Sequence, residues 1–187
     1  MSQKIYFVTG NPGKYAEMRD LLTGFDLRRK AVSYPEVQAD DLEAVARFGL
    51  RWLQDRVEPP FMLEDAGLFI DALHGFPGVY SAYVFATLGN RGILRLLEDV
   101  ENRRACFRSV VGLYDGEIHI FSGECRGTLA GEERGSQGFG YDPLFIPEGS
   151  ALTFAQMTPA EKSARSHRGR AAQNLLAHLE QAGTGGG

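Results

Sequence analysis

Apolar positions along the chain fall into two rhythms, one of strands and one of helices. Residues 4–9 contain the unbroken run Ile5-Tyr6-Phe7-Val8, short and bounded by polar residues, which predicts a buried strand. A helix is expected over residues 14–22 and a second strand over 27–33. Residues 40–54 place Leu42, Val45, Ala46, Gly49 and Leu53 on one face behind two leading aspartates, the pattern of an amphipathic helix. Phe61–Ile70 is apolar except at Glu64 and Asp65 and predicts a central strand. Residues 80–99 read as helical with a break near Gly89 and Gly92. The segment "ACFRSVVGLYDGEIHIFSGECRGTLA" carries two β-branched and aromatic runs joined by Asp115-Gly116, a dipeptide suited to a hairpin. From Pro159 onward one long helix is expected, striped by Ala172, Leu175, Leu176 and Leu179. Alternating α and β elements with an antiparallel hairpin predict an α/β fold around a mixed sheet.

Length and composition narrow the function classes. The 187 residues suit one domain, assigned to residues 1–182, with the closing "GTGGG" (183–187) as a flexible tail. With 43% hydrophobic and 24% charged residues the composition is that of an ordinary globular protein. A net charge of −4 argues against a general nucleic-acid binder, so a polyanionic ligand must meet local cations or a metal. Cys106 and Cys125 have neither disulfide-scaffold nor metal-ligand spacing and are expected to be reduced thiols. No apolar run approaches the roughly eighteen residues of a membrane span. The N-terminus lacks the basic and apolar segments of a secretion signal, so a cytoplasmic protein is expected.

Three stretches carry candidate chemistry. "VTGNPGK" is a glycine turn between strand and helix, but it is not a P-loop: the glycines are too close and Tyr15 stands where a hydroxyl would hold a metal. Its backbone can still approach an anion at a helix N-terminus, with Thr9, Asn11 and Lys14 adding a hydroxyl, an amide and a charge. The same turn equally suits a plain βα connection capped by Asn11. In "FMLEDAGLFI", two adjacent carboxylates interrupt an apolar run. Either Asp65-Ala66-Gly67 is an exposed turn, or Asp65 faces a cleft and a cation while Glu64 lies across or beside it. Glu36, just after a strand, is a second oxygen donor. "TPAE" is a capping box fixing a helix start at Thr158, after which Lys162, Arg165, His167, Arg168 and Arg170 crowd the first half of the helix against its dipole. A bound anion would turn that penalty into a site. "GSQGFGYDPLFIP" offers aromatic rings, an acceptor at Asp142 and glycines for close passage of a flat ligand.

In order, "TGNPGK", "PEVQAD", "LEDAGL", "GFPGVYSAY", "GFGYDP" and "EKSARSHRGRA" make the chain resemble the inosine triphosphate pyrophosphatase family, from Lys4 to about Leu179. The resemblance implies an elongated two-lobed α/β domain with a central nucleotide cleft, usually a homodimer. It also implies Mg²⁺-dependent cleavage of ITP, dITP or XTP to the monophosphate and pyrophosphate. Thr9, Gly10, Asn11, Pro12, Gly13 and Lys14 would bind phosphate. Asp65 would be the catalytic carboxylate and share the metal with Glu36. Phe139, Gly140, Tyr141 and Asp142 would hold the base. Lys162, His167 and Arg168 would contact the nucleotide, the last two at the 6-oxo edge. Ala66 departs from the serine or threonine common after the aspartate, leaving only a backbone contact there. A lysine common in the helix before the central strand has no counterpart, with Arg47 or Arg51 as substitutes. A Maf-like pyrophosphatase of other base preference, or a nucleotide sensor without turnover, are the alternative readings.

Overall fold

The computed structural model describes residues 3–35 and 37–184. The strands form one six-stranded sheet in the order β2-β1-β3-β4-β5-β6. β1 (Lys4–Val8) pairs in parallel with β2 (Asp26–Lys30) and with β3 (Phe61–Ile70). β4 (Arg104–Tyr114) and β5 (Ile118–Leu129) continue antiparallel, joined at the expected Asp115-Gly116 turn, where Gly116 has φ +122°. The mixed sheet is therefore the one the alternation predicts. The loop after β5 adds an element the pattern did not: a three-residue strand β6 (Phe145–Pro147) on the edge of β5. Three residues are too few to show a period. Among the described residues no helix is long and apolar enough to cross a membrane.

Three apolar clusters organise the layers. α1 (Pro12–Leu21) and the C-terminal helix α6 (His167–Thr184) cover one face of the sheet, where Met18, Ala171, Ala172 and Leu175 meet Ile5, Phe7, Met62 and Val111. α2 (Leu42–Leu53) covers the other, packing Leu42, Ala46, Leu50 and Leu53 on Phe61, Leu63 and Val110. The far half of β3 and β4 enters a separate core, in which Leu68, Ile70 and Phe107 meet Phe145, Phe154 and residues of α3 (Ser81–Thr87) and α4 (Gly89–Leu96). The break between α3 and α4 falls at Gly89, with φ +61°, as the sequence suggests. The long strands thus run through two cores. Glu64, Asp65 and Ala66 lie where one core stops and the other has not begun, which is why the apolar run is interrupted there.

One expectation is corrected. The helix from Pro159 is not continuous: α5 (Pro159–Arg165) ends at Ser166, whose ψ of 156° is extended, and α6 starts at once. Ser166 Oγ accepts from the Gly169 amide at 3.0 Å, so the serine caps the second helix. The expected capping box at Thr158 and Glu161 starts α5. The cations are thereby divided. Lys162 and Arg165 sit in the last turn of α5, where the dipole favours them, and only His167, Arg168 and Arg170 occupy the opening of α6. The start of α6 lies against β5 so closely that a Cβ on Gly123 would stand 2.2 Å from the His167 carbonyl oxygen. α6 reaches Thr184, and residues 185–187 lie outside the described residues.

Candidate functional site

The glycine turn is an ordered cap. Asn11 Oδ1 accepts from the amides of Gly13 (2.8 Å) and Lys14 (3.1 Å), and Pro12 takes the first helical position. Thr9 Oγ1 accepts from the Asn11 amide at 3.1 Å. From β2, Arg29 donates to the carbonyls of Thr9 (3.1 Å) and Gly10 (2.7 Å), fastening the turn from outside. Lys14 then reaches across to β3. Its Nζ donates to the Glu64 carbonyl at 3.0 Å and pairs with Glu64 Oε2 at 2.8 Å.

β3 is uninterrupted through Asp65, so the exposed-turn reading fails and the pleat decides where each carboxylate goes. Glu64 shares the face of Met62, beneath α1 and α6; Asp65 shares that of Leu63, beneath α2. The Glu64 side chain is fully buried and receives Ser109 Oγ at 2.6 Å, Lys14 at 2.8 Å and Arg168 at 3.1 Å. Burial pushes its carboxyl up, but the Arg168 and Lys14 charges outweigh this and hold it well below the usual carboxylate range. Glu64 is therefore an ionised structural hub with its oxygens already engaged. Asp65 is half-buried beside Val110, its partner across to β4. On that face a cleft of about 510 Å³ opens between the start of α2 and the sheet, with Asp40, Asp41, Phe69, Arg108, Val110 and Glu124 in its walls. Glu36, the other expected metal ligand, lies outside the described residues.

The remaining expected residues divide. Phe139, Asp142, Lys162 and Arg168 converge with Lys14 and Glu64. Lys162 Nζ donates to Asp142 Oδ2 at 2.5 Å, and the same oxygen accepts the Phe139 amide at 2.9 Å. The Phe139 ring lies 4.8 Å from Lys162 Nζ and 5.4 Å from the Arg168 guanidinium. It also closes over the glycine turn: a Cβ on Gly13 would meet it at 2.6 Å. Gly140 lends its carbonyl to Asn90 at 3.2 Å, steadying the loop. Tyr141 turns away into the core, its hydroxyl donating to the Ser81 carbonyl at 2.9 Å. Burial pushes that phenol up to about 12. Ala66 is half-buried opposite Ser109. Arg47 pairs with Glu43 at 2.8 Å on the outer, exposed face of α2.

Glu17 was not expected here. From α1 it binds Lys162 at 2.6 Å and Arg168 at 2.5 Å, so the two cations share one carboxylate. Burial depresses the Arg168 pKa, yet Glu64 and Glu17 more than compensate and leave it a permanent cation. Burial pushes the Asp142 carboxyl up, against the pull of Lys162.

His167 is buried and stacks on Phe107, with centroids 4.6 Å apart and planes at 11°. Burial and the nearby Arg168 lower its pKa well below 6.5, so it is a neutral imidazole beside the permanently charged Arg168. The unfolded imidazole regains a pKa near 6.5 and binds a proton the folded one refuses. Stability is thus fully present above that pH and falls as pH drops below it, with a slope of about 1.4 kcal/mol per pH unit for one proton. Chemical denaturation at about pH 7 and pH 5.5 should show this slope. His167→Gln should reduce it by one proton; equal slopes would mean that His167 titrates as a free histidine.

Comparison with known proteins gives the family. Residues 5–178 match the Ham1 family. The chain is 53% identical over 180 residues to a dITP/XTP pyrophosphatase of Thermococcus kodakarensis, covering 95% of this chain and 98% of the relative. It is 54% identical to a dITP/XTP pyrophosphatase of Pyrococcus horikoshii, covering 95% and 97%. The solved structure of a HAM1 protein from Coxiella burnetii superposes with a TM-score of 0.83 at 31% identity, over 96% of this chain and 99% of that one. With a family match that omits only the chain ends and relatives about half identical along nearly its whole length, the chain belongs to the Ham1 family.

Proposed function

We propose that this chain is a metal-dependent nucleoside triphosphate pyrophosphatase that hydrolyses non-standard purine nucleotides (dITP, XTP and ITP) to the monophosphate and pyrophosphate. The observation that carries it is the convergence of Lys162, Arg168 and Phe139 on the Asn11-capped phosphate turn, in a chain whose relatives are named for this reaction. Lys14 and Lys162 supply positive charge to the polyphosphate, and the turn's short polar groups approach it closely. Phe139 offers a ring face for the purine. Arg168 offers a donor that suits a 6-oxo group and is left unpaired by the 6-amino group of adenine.

Asp65 is the proposed general base. A carboxylate there would orient the attacking water and take its proton as the α–β anhydride bridge breaks and pyrophosphate leaves with the electron pair. Hard oxygen donors suit a Mg²⁺-class cation, and Glu64 is no candidate ligand because Lys14, Arg168 and Ser109 engage it. Asp65 and Glu36 would hold the ion, which when bound would neutralise charge on the departing pyrophosphate.

With ITP the products should be IMP and pyrophosphate; IDP and orthophosphate as first products would overturn the reaction. kcat/KM for ITP should exceed that for ATP by at least roughly a hundredfold, about 2.7 kcal/mol. Arg168→Ala should narrow that gap. Equal losses on both substrates would move base reading to the 139–142 loop.

A homodimer is proposed from the apolar surface around residues 76–88, where Phe76, Tyr80, Tyr83, Phe85 and Leu88 are exposed, Tyr83 by 69%. Sedimentation should give twice the 20.6 kDa chain mass, and Tyr83→Glu should halve it. A monomeric parent chain would remove the dimer.

A further inference from the structure

The tip of the β4–β5 hairpin and the far end of α6 bring together Asp115, His119 and His178. This group lies apart from the nucleotide cluster: His178 is eleven residues, about 16 Å, down α6 from His167. Each side chain offers one donor atom, and the three atoms lie within 4.8 Å of one another. His119 Nε2 stands 3.1 Å from Asp115 Oδ1, close to the roughly 3.3–3.5 Å edge of a tetrahedron around a metal bonded at about 2.0–2.2 Å. The Glu117 amide also donates to Asp115 Oδ1, at 3.3 Å, which fixes the carboxylate's direction. The His119 and His178 rings lie at 41° to each other with centroids 4.4 Å apart, and the Phe121 ring is 5.3 Å from that of His178. Both histidines are half-buried and Asp115 is exposed, so the site is open to solvent on one side.

We propose that Asp115, His119 and His178 form a binding site for a first-row divalent transition ion of the Zn²⁺ class, with water completing the coordination. Two imidazoles and one carboxylate favour such an ion over Mg²⁺, so the site does not compete for the cation proposed at Asp65. A bound ion would staple α6, whose other end carries His167 and Arg168, to the sheet.

The test is calorimetric titration of chelator-treated protein with ZnCl₂ in buffer containing Mg²⁺. Wild type and Asp65→Asn should each bind one Zn²⁺ per chain with equal affinity. His119→Ala, His178→Ala and the milder Asp115→Asn should each lose at least tenfold, with circular dichroism and ITP hydrolysis unchanged. At about a hundredfold excess over Kd, Zn²⁺ should raise the wild-type Tm by roughly 5 °C or more and leave that of His178→Ala unmoved. CoCl₂ should give visible absorption bands in wild type that the His178→Ala variant lacks. Unchanged affinity across the three hairpin and helix variants, loss in Asp65→Asn instead, or no Zn²⁺ uptake would each overturn the site. Because the readout is metal uptake, its failure is separate from failure of the pyrophosphatase reading.

Discussion

Asp65→Asn should abolish nearly all turnover while the chain melts where the wild type does. The substitution keeps the shape of a half-buried side chain at the seam between two cores and removes only its charge. The proposed base then cannot accept the proton from water, and the proposed metal loses an anionic ligand. Substrate affinity should fall less, because Lys14, Lys162 and Arg168 are untouched. The measurement is kcat under saturating ITP and Mg²⁺, beside a thermal melt. Retention of more than about a tenth of wild-type kcat, a loss under ~1.4 kcal/mol, would take Asp65 out of the central role.

Its neighbour should behave in the opposite way. Glu64→Ala is expected to damage the fold first, by about 3–5 kcal/mol, because it strands buried Arg168 and leaves Lys14 without its carboxylate. Glu17 still holds one side of Arg168, which argues for the lower end of that range. Glu64 also ties stability to pH. Its folded pKa is depressed, so its contribution is intact above about 4.5, the unfolded value, and drains away as pH falls below it. Urea denaturation of wild type and Glu64→Ala at neutral pH and at about pH 4 provides the check. A variant as stable as wild type would show that the cations find water or another partner, and that the hub is dispensable.

What the sequence reveals and what it hides follow from distance along the chain. The first strand, its glycine turn, the Asp115-Gly116 hairpin and the capping box at Thr158 are local signals, and each is where the pattern puts it. The break at Ser166 is equally local, yet the helical stripe begins only at Ala172, beyond it, and the cap shows only once the serine is seen bonding to Gly169. β6 is too short for any period. Glu17 is the instructive omission. Its partners Lys162 and Arg168 lie 145 and 151 residues away, so no spacing on α1 distinguishes it from a solvated surface glutamate. Arg29, which fastens the glycine turn from β2, is hidden in the same way. The convergence of Phe139, Asp142, Lys162 and Arg168 was legible through the family resemblance. The same resemblance implies base contact from Tyr141 and His167; the Tyr141 hydroxyl bonds to Ser81 and the His167 ring stacks on Phe107.

The placement of Glu64 and Asp65 on opposite faces of β3 also acts as an index for the strand. If β3 slid by one residue against β1 and β4, every side chain would exchange faces. Glu64 would leave Lys14, Arg168 and Ser109 for the cleft, and Asp65, one methylene shorter, would be pushed among the cations. Hydrophobic residues on both sides of this doubly covered strand discriminate weakly against such a slip, since Met62 and Leu63 are equally at home in either layer. The charged pair does not share that tolerance. The buried, cation-paired carboxylate therefore sets the address of the one proposed as the base, and a single-residue insertion or deletion in β3 would misdeliver both.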